Sequence, residues 1–113
     1  MIYAMILHTD GTRTNIERAA PIQAMTLNEI MTLLGGHVVT AESDDIVAWC
    51  LDVEGPESGL PFNELCHQMW GFHIWGDVLI TGYVAASSND VVWPIEYNYA
   101  CALMYRIPLK EAA

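Results

Sequence analysis

Basic residues are the first scarcity in this 113-residue chain: only Arg13, Arg18, Arg106 and Lys110 carry positive charge, against 14 Asp and Glu. Between Ala19 and Tyr105 stand eleven carboxylates and no Lys or Arg, and the net charge is −10. Phosphate backbones and anionic membranes are held by Lys and Arg that neutralise them, so direct nucleic-acid and membrane binding are disfavoured. Phosphoryl transfer likewise lacks the groups that would stabilise its charge. Cysteine is sparse as well. Three of them, at 50, 66 and 101, form no regular pattern; an odd count of this kind makes no disulfide framework and points to a reducing, cytoplasmic setting. No run of roughly 18 apolar residues is present to cross a membrane. The apolar start "MIYAMILH" lacks a basic leader region and a small-residue cleavage site, so it reads as a strand.

Catalytic motifs are missing too. The sequence contains no G-x-x-x-x-G-K-[ST], no G-x-G-x-x-G, no G-x-S-x-G and no H-E-x-x-H. Gly35-Gly36 follows a predicted helix and does not cradle phosphate at a helix start. No catalytic residue, cofactor or metal is assigned on this reading.

What is present is a folding sequence. A hydrophobic share of 53% with 16% charged residues is the opposite of the disordered balance. The length fits a single domain spanning 1–113. "IYAMILHTDGTRTNIER" reads as a β-hairpin around Asp10-Gly11, since Gly accepts positive φ at no cost. "MTLNEIMTLLGG" is the clearest helix: Thr26 and Glu29 suggest a capping box, and Met25 can staple onto Ile30. Leu27, Ile30, Met31 and Leu34 share one face, and Gly35-Gly36 supplies the stop. "HVVTAES" and "DIVAWCLDVEG" read as strands joined at "ESDD". Asn63 caps a short helix, "ELCHQMW", ended by Gly71, and "GDVLITGYVA" is a strand. In "IEYNYACALMYRI" every odd position from Ile95 to Ile107 is apolar, which favours a half-buried strand. The helical template places Asn98 and Arg106 on the buried face and fits less well. The expected architecture is α+β, a mostly antiparallel sheet of five or six strands with two short helices on one face.

The order "LLGGHVV", then "DVEG", "GLPFN", a short helix and "WGDVLITG" resembles a family of small uncharacterised phage and mobile-element proteins. The resemblance covers roughly Ile2 to Tyr83. It divides the chain into a family-like core over 2–84 and a C-terminal extension over 85–113, read as a long strand. It implies a phage-type accessory protein in a bacterial cytoplasm and transfers no catalytic residue.

The stretch "ELCHQMWGFHIWGD" concentrates candidate ligands. Zinc sites place ligands in close pairs that converge on one point, whereas Cys66 and His67 are neighbours about 100° apart on a helix. Cys66 therefore belongs to the core side and His67 to solvent. His73 and Asp77 form a His-x-x-x-Asp pair that can in principle orient an imidazole; the plainer reading makes Asp77 a turn residue. Glu42, Asp44, Asp45, Asp52, Glu54 and Glu57 read as a solvated acidic face, because no D-x-D-x-D-G loop accompanies them. Tyr and Trp dominate interface hot spots, so the candidate binding residues are Trp70, His73, Trp75, Asp77, Tyr97 and Tyr99.

The expectation is a non-enzymatic protein-binding or inhibitory module, acting on a host or phage protein in host takeover or counter-defence. The alternative is a small-molecule or nucleotide-binding domain with an aromatic pocket. A long edge strand in the extension would also allow a homo-oligomer.

Overall fold

Two strand sequences, VAWCL and VLIT, are apolar at every position but Thr81, and that property organises the architecture. In the computed structural model, which describes residues 2–18, 25–43, 46–52, 55–82, 91–92, 94–95 and 97–110, β5 (Val47–Leu51) and β6 (Val78–Thr81) are buried along almost their whole length. Strands buried on both faces need a cover on each side.

The main sheet contains β1 (Ile2–Leu7), β2 (Arg13–Glu17), β4 (Val38–Glu42), β5 and β6 in the order β2-β1-β6-β5-β4, with every pairing antiparallel. A second, two-stranded sheet pairs β3 (Met25–Thr26) with β7 (Val91–Val92). Among the described residues three α-helices complete the fold: α1 (Leu27–Leu34), α2 (Glu64–Trp70) and α3 (Tyr97–Arg106). The α+β class expected from the sequence is what forms, and the expected sheet of five or six mostly antiparallel strands has five.

The helices do not share one face, as the sequence reading had them. Tyr3, Ile6, Val47, Trp49 and Leu79 meet Met25 and Ile30 of the α1 region in one core. Met5, Leu7, Ala48, Cys50, Val78 and Ile80 face the other way, against Cys66 of α2 and Ala100, Leu103 and Ile107 at α3. Successive side chains in a strand point to opposite faces, so uninterrupted apolar strands build two cores.

The helix ends follow local chemistry. Thr26 Oγ1 accepts from the Glu29 N–H at 3.2 Å, and Asn63 Oδ1 accepts from the Cys66 N–H at 3.1 Å. Each satisfies an orphan donor of the first turn. Only half of the expected capping box closes, because the Glu29 carboxylate pairs instead with Arg18. Both α1 and α2 stop at glycines in the left-handed region, Gly35 and Gly71.

The segment read as a long strand is α3, and this corrects the account of the extension. Its buried positions Ala100, Leu103 and Ile107, with Met104 packed alongside, follow the i, i+3, i+4, i+7 spacing of a helix. Tyr105, which an alternating strand would bury beside Leu103, is 94% exposed while Leu103 is 1% exposed. The uncovered face beyond α2 supplies the reason. A seven-residue helix leaves apolar sheet surface bare, and a second helix covers it better than one more edge strand.

Pro108 then ends the helix, and the chain continues beside β2. There the Arg13 N–H donates to the Pro108 carbonyl and the Lys110 N–H to the Arg13 carbonyl. The pairing edge expected at 94–107 therefore does not exist, and the chain covers β2 at Arg13 itself.

Leu103→Ala is expected to cost about 2–5 kcal/mol by cavity formation, and Tyr105→Ala to stay within about 0.5 kcal/mol as a surface change. Urea denaturation of the two variants checks this, because a strand over 95–107 would make the two costs similar.

Candidate functional site

A short two-stranded ribbon, Leu60–Asn63 against Ile74–Asp77, carries the candidate chemistry. Phe62 and Trp75 form an antiparallel bridge. On either side of it the Asn63 N–H donates to the Ile74 carbonyl and the Gly76 N–H to the Pro61 carbonyl, both at 2.8 Å. Asn63 anchors the ribbon. Its side chain is fully buried, and its Nδ2 donates to the carbonyls of Leu7 and Gly76 at 3.0 Å each while Oδ1 caps α2. Gly76 has φ +94, a left-handed conformation that favours glycine, and a Cβ there would lie 3.0 Å from the movable Leu60 Cδ1.

Asp77, at the end of the ribbon, does orient an imidazole, but the partner is His8 and not His73. Asp77 Oδ2 lies 2.8 Å from His8 Nδ1, and Oδ1 accepts from the Thr9 N–H at 3.3 Å. His8 Nε2 is 2.7 Å from Thr14 Oγ1. With the proton on Nδ1 directed at the carboxylate, Nε2 accepts the Thr14 hydroxyl. The order carboxylate, imidazole, hydroxyl is the one that activates hydroxyl nucleophiles. Here His8 is a buried residue, at 8% exposure, and Thr14 does not line the neighbouring cavity. The triplet reads as a satisfied polar network joining β1, β2 and the entry to β6. No sequence signal linked His8 to Asp77, because 69 residues separate them.

A cavity of about 330 Å³ opens where this network meets α1. Leu33, Leu34, Leu51 and Leu60 form much of its wall, and His8 and Asp77 form its polar end. That volume is near the lower end of the ~300–1,000 Å³ typical of ligand sites. Among the described residues its lining contains no Trp or Tyr, and the aromatic pocket considered in the sequence reading has no ring there.

The aromatic candidates assemble elsewhere, in two groups. Trp70 Nε1 donates to the Tyr99 hydroxyl at 2.6 Å, with the two rings stacked at 6.5 Å and Phe72 on Trp70 at 6.0 Å. These rings pack against the core and clamp α2 to α3. His73 and Trp75 join Phe62 and His67 in the second group: Phe62 lies 5.2 Å from Trp75 and 5.6 Å from His67, and the two imidazoles are 4.9 Å apart. His67 and His73 are exposed, and Phe62 and Trp75 are half-buried. Of Tyr97 only the helical backbone belongs to the described residues.

The five candidates whose side chains are described thus separate into an interior clamp, a ring patch and an acidic cavity end. The last two are neighbours on one ribbon. Phe62 and His67 were missed as contact residues; Phe62 faces His73 and Trp75 only because the ribbon pairs.

His67, His73 and Asp77 do not converge, since Asp77 is engaged by His8. Among the described residues, no group of three His, Cys, Asp or Glu side chains could hold a metal ion. Within the acidic run, Asp44, Asp45 and Glu54 lie outside the described residues, while Glu42, Asp52 and Glu57 are exposed.

Cys66 sits on the core side of α2, as expected, and burial pushes its thiol up to about 12. Burial also raises Cys50, with the Asp52 charge adding to the effect. The thiolate is the reactive form, so at pH 8 Cys66 stays in its unreactive thiol form. Native protein treated with a thiol-selective disulfide reagent at pH 8 is expected to react rapidly at half-exposed Cys101 alone. Cys50 and Cys66 should follow only after unfolding, and mass mapping of the labelled cysteines reads the order.

Asn63→Ala leaves two buried carbonyls and one helix donor without partners, an expected cost of about 2–4 kcal/mol. Asn63→Asp keeps the acceptor but turns a buried carboxyl toward those carbonyls, which raises its folded pKa. A raised carboxyl pKa lowers stability as pH climbs past the unfolded value near 4. The deficit of this variant relative to wild type should therefore be smaller at pH 4 than at pH 7 in paired denaturation curves.

Comparison with family models, curated proteins and solved structures returns no match for this chain, so the reading of the site rests on its own geometry.

Proposed function

We propose that this chain is a non-enzymatic binding protein of the cytoplasm that occupies a basic protein partner through the face built on the Leu60–Asp77 ribbon. The observation that carries the reading is the ring patch. Phe62, His67, His73 and Trp75 cluster where two imidazoles face solvent. Rings held on a hydrogen-bonded ribbon bury contact area at little entropic cost, the usual property of interface hot spots.

Charge chooses the partner. A net of −10 with no Lys or Arg from residue 19 to 105 steers basic surfaces toward the chain and repels acidic ones. The phage-type accessory role implied by the sequence resemblance agrees with this reading, with a host or phage protein as target. Occupation of that target would inhibit it without any chemistry by this chain.

The test is capture of partners from bacterial lysate by the tagged chain, with quantitative mass spectrometry of wild type against Trp75→Ala and His73→Ala. A stoichiometric basic protein should be enriched by wild type. Trp75→Ala should weaken its binding by roughly 2 kcal/mol, about thirtyfold in Kd. Equal enrichment by the folded variants removes the ring patch as the contact face.

A further inference from the structure

We propose that the cavity beside the ring patch is an anchor socket for a lysine side chain of the partner, with Asp77 as its counter-ion. This rests on the protein-binding reading above and adds the group that the site recognises.

The socket has the two parts that a lysine needs. Its wall is aliphatic: Leu34, Leu51 and Leu60 are partly buried, and Leu33 is 39% exposed, so some leucine surface stays in water at this place. A run of four methylenes laid against those side chains would remove that surface from solvent. Its polar end is a carboxylate, Asp77, whose side chain is 45% exposed and so reachable from outside. No Lys or Arg of this chain lines the cavity.

The carboxylate is also held in place. His8 Nδ1 at 2.8 Å and the Thr9 N–H at 3.3 Å fix one oxygen each, so its position is set before a ligand arrives. Each oxygen already accepts one of these hydrogen bonds. A guanidinium fork needs both oxygens together, whereas a compact ammonium needs a single free acceptor position, and this favours lysine over arginine.

Continuity with the ring patch favours a polypeptide over a free amine. Leu60 and Asp77 of the socket and Phe62 and Trp75 of the patch lie on the same paired ribbon, either side of the Pro61–Gly76 hydrogen bond. A chain that inserts a lysine beside Asp77 therefore passes directly over the rings.

The probe is the peptide acetyl-Tyr-Gly-Lys-Gly-Tyr-amide, titrated into ¹⁵N-labelled protein while the amides of Thr9, Leu34, Gly76 and Asp77 are followed. Three comparison ligands are the same peptide with Nε-acetyl-lysine, the same peptide with arginine, and n-hexylamine. Saturable shifts at those amides are expected with the lysine peptide, and binding at least about fivefold weaker with the acetylated one. Asp77→Asn should weaken the lysine peptide by about two- to fivefold, the range of a partly exposed charge pair. Trp75→Ala should weaken the peptide and leave n-hexylamine unchanged.

Equal binding of the lysine and acetyl-lysine peptides to wild-type protein overturns the proposal, and that comparison does not depend on any variant folding. Tighter binding of the arginine peptide overturns the choice of lysine. Binding of n-hexylamine without the peptide assigns the cavity to free amines and overturns the polypeptide anchor. Partner capture from lysate that is lost in Trp75→Ala but unchanged in Asp77→Asn rejects the socket and keeps the binding face. Capture unchanged in both rejects the binding face itself.

Discussion

Asn63 is the residue on which the geometry of the proposed binding face depends. It is fully buried, and its side chain meets three separate parts of the fold. Its amide donates to the end of β1 at Leu7 and to the ribbon at Gly76, and its oxygen starts α2. Its main chain also pairs with Ile74 across the ribbon. A buried amide with both donors and its acceptor engaged is favourable only in one arrangement, because each missing partner leaves a desolvated polar group. That requirement sets the ribbon against the sheet, and with it Phe62, Trp75 and Asp77. The ring patch and the acidic cavity are adjacent because one residue fixes both ends of the segment between them.

A second constraint is the double burial of the central strands. Since β5 and β6 are apolar on both faces, α1 alone cannot finish the fold, and the opposite face takes α2 and α3 together. The join of α3 to the sheet carries a buried cation. Arg13 is 6% exposed, donates to Asn15 and to the Met104 carbonyl near the end of α3, and leaves its Nε without a partner among the described residues. Burial lowers the pKa of its guanidinium. A positive charge near a helix C-terminus meets the negative end of the helix dipole, which offsets part of that desolvation. The C-terminal helix is thus held by apolar packing, by a charge placed against its last carbonyls and by main-chain pairing at Pro108 and Lys110.

The chemistry of the surface follows from what the chain lacks. Without cations in its middle, the exposed carboxylates of the described residues have few internal partners and present a field that favours basic ligands. The polar groups that do pair are structural: Trp49 donates to Thr81, and Trp70 to Tyr99. His8 resembles a catalytic imidazole in its partners, yet it lies buried between a strand hydroxyl and a carboxylate. Its clearest consequence is that Asp77 is held still at the polar end of a leucine-walled cavity.

Much of the fold was legible because its signals are local. The cap at Thr26, the stops at Gly35 and Gly71, the cap at Asn63 and the orientation of Cys66 and His67 on α2 all follow from residues within one turn of each other. The α+β class and the antiparallel sheet follow from the order of those signals and the apolar strand runs. The segment 95–107 shows where local pattern stops deciding. Its alternating residues suit a strand and its i, i+3, i+7 set suits a helix, and the choice fell to the bare sheet face that needed covering. The same holds for the site. Sequence alone singled out Trp75, His73 and Asp77, and its missing cations disfavoured direct nucleic-acid binding. Only the tertiary structure paired Asp77 with His8 and brought Phe62 to Trp75 and His67 to His73. Contacts between residues far apart in the chain depend on strand register and on the burial of Asn63, and these leave no periodic trace in the sequence.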